Sequence, residues 1–180
     1  MYVIIINRKR VMCMIMEGNI SIRTIERDDL KTIYRWNSQE IRGDFQEFKF
    51  QSLNELEQDY NKSGFCSDEF QVLMIKEEEH KIGLVYLSFY REGIVKIGMV
   101  LIPNSCNRGK GTTILKMIIK YLFSNYPIVR VEADTDVKNI AAQKILEKAG
   151  FLKEGILRKY RFHHGKYNDS YIYSFINEKF

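Results

Sequence analysis

Residues 94–123 read IVKIGMVLIPNSCNRGKGTTILKMIIKYLF, and this stretch decides the fold. The run IVKIGMVLIP is mostly apolar and β-branched, which predicts a buried strand. After the polar loop NSCNRGKG, residues 112–123 carry apolar side chains at helical spacing, which predicts an amphipathic helix. A loop between a strand and a helix directs unpaired backbone N–H groups and the positive end of the helix dipole at one point. This arrangement is typical of phosphate-binding sites.

The two glycines of the loop, Gly109 and Gly111, also admit a plainer explanation, which is a tight turn between strand and helix. Their spacing fits neither the dinucleotide fingerprint nor a P-loop, because a P-loop has Ser or Thr directly after the Gly-Lys pair. Here Gly111 follows Lys110. The loop alone therefore indicates only a candidate anion site.

Composition predicts one globular domain. The chain has 180 residues, of which 45% are hydrophobic and 28% charged, and it contains no linker-like tract. The formal charge of +5 suits a polyanionic ligand such as a phosphorylated cofactor, whereas the scattered Lys and Arg do not form a nucleic-acid-binding stripe. We therefore predict no direct nucleic-acid partner.

Cysteine and histidine usage predicts a reducing, cytoplasmic setting without a metal site, because the three cysteines are odd in number and lack C-x-x-C spacing, and the three histidines are too few and too badly spaced for a metal centre. The apolar run at residues 2–6 is too short to cross a membrane, so no membrane partner is predicted. We expect residues 1–19 to be an N-terminal extension or an extra edge strand, and residues 20–180 to form a single domain.

The rest of the chain alternates strands and helices. Helices are predicted over residues 26–36, from Ser52 to about residue 61, and from Asn139 to residue 148. Strands are predicted over residues 70–75, 81–90, 128–133 and 170–176, with another beginning at residue 151. Short turns make the earlier strands antiparallel neighbours, and the unit from residue 94 to 133 is a strand–helix–strand crossover. The predicted class is α/β with a mixed sheet.

Several ordered motifs resemble one family. They are V-x-I-P at residues 100–103, R-G-K-G-T at 108–112, R-V-E-A at 130–133, N-I-A-A-Q-K-I-L-E-K-A-G-F at 139–151, E-G-x-L-R at 154–158 and G-K-Y-N-D at 165–169. Over residues 20–176 the chain resembles the GNAT superfamily of N-acetyltransferases. Within that superfamily it is similar to the group of ribosomal-protein alanine N-acetyltransferases and spermidine acetyltransferases.

The resemblance implies transfer of an acetyl group from acetyl-CoA, as co-substrate, to a primary amine, without a metal. It implies a largely antiparallel central sheet in which two parallel strands splay apart and admit the pantetheine arm. The implied cofactor-binding residues are Met99, Val100, Leu101, Asn107, Arg108, Gly109, Lys110, Gly111, Thr112 and Asn139.

The register of the pyrophosphate motif has two alternatives. The family pattern is Gln or Arg, two residues, Gly, one residue, then Gly or Ala. Without gaps, Cys106 takes the first position, and Gly109 and Gly111 take the small ones. Starting instead at Arg108 would leave Thr113 last and shorten the helix, so the gapless register is preferred.

Two positions on the helix from Asn139 bear on catalysis. The resemblance implies that the side-chain amide of Asn139 contacts the cofactor near the thioester. Asn139 is also suited to cap the helix, and the two roles are compatible. Seven residues later many members carry a Tyr that protonates the leaving thiolate, and this chain has Leu146. No general acid is therefore assigned by motif.

Candidate bases are Glu132, expected on the strand facing the gap, and Glu47 or Asp44 in the aromatic loop at residues 41–50. Each has a structural or solvated alternative. Aromatic side chains are expected to wall the acceptor site or to belong to the core; they are Trp36, Phe45, Phe48 and Tyr167.

Two functions stay open at this point. The leading one is an acetyl-CoA-dependent N-acetyltransferase, monomeric or homodimeric, acting on a protein N-terminus, a polyamine or a small amine. Carboxylates near the loop, namely Glu40, Asp44 and Glu47, favour a cationic acceptor. The alternative is a non-catalytic acyl-CoA-binding or sensory module, which Cys106 and Leu146 keep open.

Overall fold

The structure is a computed structural model that describes residues 6–7, 10–11, 14–46, 49–106 and 109–178. Within these ranges the strands are β1 (Ile6–Asn7), β2 (Arg10–Val11), β3 (Met14–Glu17), β4 (Ile20–Thr24), β5 (Phe70–Glu77), β6 (His80–Arg91), β7 (Ile94–Leu101), β8 (Arg130–Asp136), β9 (Leu152–His163) and β10 (Lys166–Ile176). The α-helices are α1 (Leu30–Trp36), α2 (Gln39–Arg42), α3 (Leu53–Ser63), α4 (Lys110–Asn125) and α5 (Ile140–Ala149). No helix in the described part of the chain is long and apolar enough to cross a membrane.

Eight strands form one sheet in the order β3-β4-β5-β6-β7-β8-β10-β9. Neighbouring strands are antiparallel except for β7 and β8, which α4 connects as a parallel pair. This pair is in register only over residues 94–96 and 130–132, so the two strands separate toward their C-terminal ends. The predicted mixed, largely antiparallel sheet with two splayed parallel strands is confirmed.

The N-terminal part of the sheet ends in β3, which pairs antiparallel with β4. The separate pair of β1 and β2 precedes it. The division of the chain into an extension at residues 1–19 and a domain at residues 20–180 stays a prediction.

Two hydrophobic cores cover opposite faces of the sheet. On one face α4 and α5 pack against the central strands, with Ile118, Val95 and Val131 fully buried. On the other face α1 and α3 pack against β5 and β6, with Leu30 and Met74 in the core. Because side chains alternate along a strand, each strand residue belongs to one of these two faces.

The helix boundaries follow the predicted caps. The Ser52 hydroxyl accepts a hydrogen bond from the backbone N–H of Glu55 at 3.1 Å and begins α3, while Gly64 ends it with a φ of 62°. Asn139 begins α5 through the same type of cap, and Gly150 ends it with a φ of 99°. Local side-chain chemistry therefore sets the ends of both helices.

Several elements differ from the predicted boundaries. The helix predicted from residue 26 begins as a 3₁₀ turn at Arg27–Asp29 and becomes α-helical only at Leu30, and β5 runs on to Glu77. α4 begins at Lys110, earlier than expected, because the left-handed conformation of Gly109 starts the helix there. β8 runs on to Asp136, and β10 already begins at Lys166, since the tight turn before it lets pairing with β9 begin at His163.

A buried ion-pair network anchors the start of α1 to the sheet. Arg23 donates to both carboxylate oxygens of Asp29 at 2.6 and 3.0 Å, and the Lys81 Nζ lies 2.7 Å from the same carboxylate. The backbone N–H of Glu26 also donates to Asp29 at 2.8 Å. Burial acts to raise the pKa of Asp29, but these hydrogen bonds outweigh it and lower the pKa to about 2.

Candidate active site

A cavity of about 370 Å³ lies in the gap between β7 and β8. Its wall includes Asn139 and Leu146 from the α4/α5 face and Arg42, Phe45 and Tyr86 from the α1/α3 face. The cavity therefore passes between the two faces of the sheet, at the place where the strands lose their mutual hydrogen bonds.

The β7 wall of the cavity contains Met99, Val100 and Leu101. On their other side these residues pair with β6, but the parallel ladder to β8 has ended at Lys96. The backbone edge of β7 that faces β8 is thus open toward the cavity. An extended ligand can add to such an edge as a strand would.

The N-terminus of α4 supplies further backbone donors. Gly109 has a φ of 75°, which favours glycine, and among the described residues none beyond its chain neighbour lies within 4 Å of where its Cβ would be. The first amides of the helix, at Lys110 and Gly111, have no intrahelical acceptor by geometry, whereas the N–H of Thr112 donates to the Gly109 carbonyl at 3.1 Å. Gly109 thus lies at the positive end of a helix of 16 residues. The other two predicted loop residues, Asn107 and Arg108, lie outside the described residues.

Two predicted phosphate-site residues have other contacts. The Lys110 Nζ lies 2.7 Å from a carboxylate oxygen of Glu77, and its side chain is only 14% exposed. A Cβ on Gly111 would lie 2.9 Å from the Cδ1 of Ile145. Gly111 is therefore where α4 approaches α5 closely, and its part in the phosphate site stays a prediction.

Asn139 and Leu146 both line the cavity, as the resemblance implies. The Asn139 Oδ1 accepts a hydrogen bond from the Ala142 backbone N–H at 3.1 Å, so the cap is present. Leu146 is 6% exposed and packs in the core of the α4/α5 face. An apolar side chain thus stands where many family members have a phenol.

Glu132 lies outside the cavity lining, contrary to the expected position facing the gap. Tyr90 donates a hydrogen bond to its carboxylate at 2.5 Å and Arg130 donates another at 2.6 Å. Burial acts to raise the pKa of Glu132, but these two donors hold it below its ordinary value. Its role as a base stays a prediction, which this geometry does not favour.

The other predicted bases and walls are dispersed. Glu47 and Phe48 lie outside the described residues, and the Asp44 side chain is 85% exposed and 4.0 Å from His164. Phe45 does line the cavity. The two remaining aromatics do not line it: Trp36 packs beside the core under α1 and α3, and Tyr167 is exposed against Phe162.

Sequence reasoning missed a buried carboxylate in the cavity wall. The Asp134 side chain is 0% exposed, and its carboxylate lies 2.5 Å from the Lys96 Nζ. The Nε of Arg161 donates to it at 2.7 Å. One signal in the sequence points to the pair of Lys96 and Asp134, since Lys96 is a lone charge in an apolar strand and residues 130–136 alternate charged and uncharged side chains.

Two further groups line or support the cavity. Asp136 is 1% exposed and lies 2.8 Å from the Nε2 of His163. Burial raises the pKa of Tyr86, so its hydroxyl keeps its proton. Among the described residues, no group of three or more His, Cys, Asp or Glu is arranged to hold a metal ion.

Comparisons with known proteins give one consistent result. A profile of the acetyltransferase (GNAT) domain matches residues 22–172. A curated relative, the spermidine N(1)-acetyltransferase of Vibrio cholerae, is 27% identical over 157 residues, which cover 86% of this chain and 91% of the relative.

Solved structures agree with this profile. The crystal structure of the Vibrio cholerae spermidine N-acetyltransferase with CoA and spermine has a TM-score of 0.82 at 24% identity and covers 91% of this chain and 98% of its own. A RimL ribosomal-protein α-N-acetyltransferase with CoA has a TM-score of 0.79 at 14% identity, covering 91% of this chain and 97% of its own. At these identities the likeness establishes the fold.

Proposed function

This chain belongs to the GNAT acetyltransferase family and is an acetyltransferase of that type, and we propose that it transfers the acetyl group of acetyl-CoA to a primary amine. The observation that supports this most directly is the cavity between β7 and β8, which opens toward both faces of the sheet. A two-substrate transfer needs one reactant on each side of the reacting carbon, and such a passage provides that arrangement.

The residues of the cavity fit acetyl-CoA. The open edge of β7 at Met99, Val100 and Leu101 would pair with the extended arm of the cofactor. The α4 N-terminus with Gly109 would accept the pyrophosphate through backbone N–H groups, together with Asn107 and Arg108. The relatives solved with CoA support this proposal. When bound, acetyl-CoA supplies an acyl group activated as a thioester.

The transfer forms a C–N bond and breaks a C–S bond, and the proton that the amine loses balances the one that the thiolate gains. Backbone N–H groups of β7 stabilise charge that develops on the carbonyl oxygen. Tyr86 keeps its proton and is the candidate donor to the thiolate. Asp134 pairs with Lys96 and Arg161, and Asp136 pairs with His163, so neither carboxylate is assigned as the base. Glu47 is the hypothesised base, which would take the amine proton directly or through water.

The test is free-thiol release from acetyl-CoA with a panel of primary amines, alongside calorimetric binding of CoA. We expect release above the amine-free rate with at least one amine, and a lower kcat for Tyr86→Phe at unchanged affinity for CoA. Tight binding of CoA without release for any amine would refute the transferase and leave the binding module. A Tyr86→Phe variant with unchanged kcat would remove that residue from the mechanism.

A further inference from the structure

An ion pair links β7 and β8 just beyond the point where their hydrogen bonding ends. The parallel ladder stops where Lys96 lies opposite Glu132. Further along β8, the Asp134 carboxylate lies 2.5 Å from the Lys96 Nζ. The Lys96–Asp134 pair therefore joins the two strands at the end of the cavity where they meet.

Two residues of β9 hold this pair in place. The Nε and Nη2 of Arg161 donate to one oxygen of Asp134 at 2.7 and 2.5 Å, and the other oxygen faces Lys96. The Lys96 Nζ also donates to the Tyr160 hydroxyl at 2.8 Å. Burial acts to lower the pKa of Lys96, but its contacts with Asp134 and Tyr160 outweigh burial and raise the pKa. The Lys96 side chain therefore stays charged near neutral pH and is fixed at two points.

The same pair separates two spaces. Asp134 lines the cavity between the strands, whereas Lys96 and Tyr160 line a depression of about 530 Å³. Arg161 borders both spaces, so the depression adjoins the cavity. The contact between Lys96 and Asp134 is therefore part of the partition between them.

The acyl end of the cofactor would lie at this end of the cavity. The proposed pyrophosphate site is the N-terminus of α4, which begins beyond the C-terminal end of β7. An arm that pairs with β7 from Leu101 back to Met99 therefore runs toward the junction of the two strands. Ile97 and Gly98 line the cavity there, and they directly follow Lys96 in the chain. The group carried by the thioester would thus approach the Lys96–Asp134 pair.

We propose that the Lys96–Asp134 pair closes the end of the cavity that the acyl group reaches, and that it restricts the transferred group to acetyl. The inference rests on the proposed function and adds a limit on acyl length to it. A longer chain could enter only if the Lys96 ammonium left Asp134, and removing a charge partner from a buried carboxylate is costly. Lys96 is thus a positioning residue that determines specificity.

The experiment varies only the length of the acyl group, with acetyl-, propionyl- and butyryl-CoA as the probes. Each thioester is measured by calorimetric binding and by thiol release with the fastest amine of the panel. For the wild type we expect kcat/KM to be at least about tenfold lower for butyryl-CoA than for acetyl-CoA. Calorimetry should show no gain in affinity from the additional methylene groups, although each would be worth about fourfold in an apolar pocket that admitted it.

Two variants open the partition to different extents. Lys96→Ala removes the side chain that closes the cavity and leaves Asp134 bound to Arg161. We expect its kcat/KM preference for acetyl-CoA to fall to about threefold or less, and its affinity for butyryl-CoA to rise about tenfold relative to acetyl-CoA. Lys96→Met keeps most of the side-chain volume but not the ion pair. Because an uncharged, flexible side chain can move aside, it should lower the preference by at least about threefold, and it decides alone if Lys96→Ala does not fold.

Lys81→Ala is the matched control. Lys81 lies on the neighbouring strand β6, is 28% exposed, and its Nζ lies 2.7 Å from the buried carboxylate of Asp29, which Arg23 also binds. Its exposure and partners therefore match those of Lys96, which is 29% exposed. Neither Lys81 nor Asp29 is among the described residues that line the cavity. Lys81→Ala should lower the urea midpoint about as much as Lys96→Ala does, and it should keep the acyl preference of the wild type.

An unchanged acyl preference in Lys96→Ala, or an equal change in Lys81→Ala, would overturn the inference and leave the transferase intact. A wild type that uses butyryl-CoA as fast as acetyl-CoA would do the same. Absence of thiol release with every amine would instead overturn the proposed function. In that case the calorimetric affinities still decide the inference: a relative gain for butyryl-CoA in Lys96→Ala supports it, and an unchanged ratio overturns it.

Discussion

The contact between Gly111 and Ile145 leads to a quantitative prediction about how α4 is held against α5. A Cβ at Gly111 would lie 2.9 Å from the Cδ1 of Ile145, whereas carbon atoms pack best at about 3.5–4.0 Å. Gly111→Val adds two further methyl groups at this site. Overpacking of this kind costs about 1–3 kcal/mol, and the better helix propensity of Val offsets only a few tenths of that, about 0.3 kcal/mol. We expect the free energy of unfolding to fall by about 1–3 kcal/mol.

Ile145→Ala removes the atoms that Val would strike, so it should relieve the strain. In urea unfolding, the free energy of unfolding of the double variant Gly111→Val with Ile145→Ala should exceed the value expected from adding the two single effects by at least about 1 kcal/mol. The matched control is Gly109→Val with Ile145→Ala. In the part of the chain that the structure describes, Gly109 has no neighbour within 4 Å of its Cβ position, and a side chain there is disfavoured by its φ of 75°. The effects of Gly109→Val and Ile145→Ala on the free energy of unfolding should add within about 0.5 kcal/mol. Additivity at Gly111 as well would refute the reasoning.

Two further predictions concern the helix cap and acid stability. Asn139→Ser keeps a capping oxygen and should leave the free energy of unfolding nearly unchanged, while Asn139→Ala should lower it by about 1 kcal/mol. If both variants lose thiol release at saturating amine, the catalytic role of the Asn139 amide is separate from its role as a cap. Asp29→Asn leaves Arg23 buried without its charge partner and should cost about 3–5 kcal/mol near neutral pH in urea unfolding. Because hydrogen bonding lowers the folded-state pKa of Asp29 from 3.8 to about 2, its stabilisation is full above pH 3.8 and is lost as the pH falls toward 2. The wild type should therefore lose stability across that window and the variant should lose less; parallel pH curves would contradict this.

The strand–loop–helix at residues 94–123 could be predicted because its signals are local. Alternating strand residues, a glycine at the start of α4 and helical spacing each act over a few residues, and β7 and α4 follow them. The caps at Ser52 and Asn139 were predictable for the same reason. The placement of Glu132 was not, because its carboxylate is held by Tyr90 on another strand, and the sequence does not state which donors lie across the sheet.

The sequence by itself determined the order of strands and helices, the loop that opens α4, and the family to which the motifs belong. Only the tertiary structure decided where β7 and β8 separate, what lies beside the Cβ positions of Gly109 and Gly111, and which charges line the cavity. The physical reason is the range of the interactions. Hydrogen-bonded caps and periodic apolar side chains are set by near neighbours, whereas Lys96, Asp134 and Arg161 come together from three separate strands. Their mutual attraction holds the buried carboxylate between two partly exposed cations, a contact that no short-range signal in the sequence specifies.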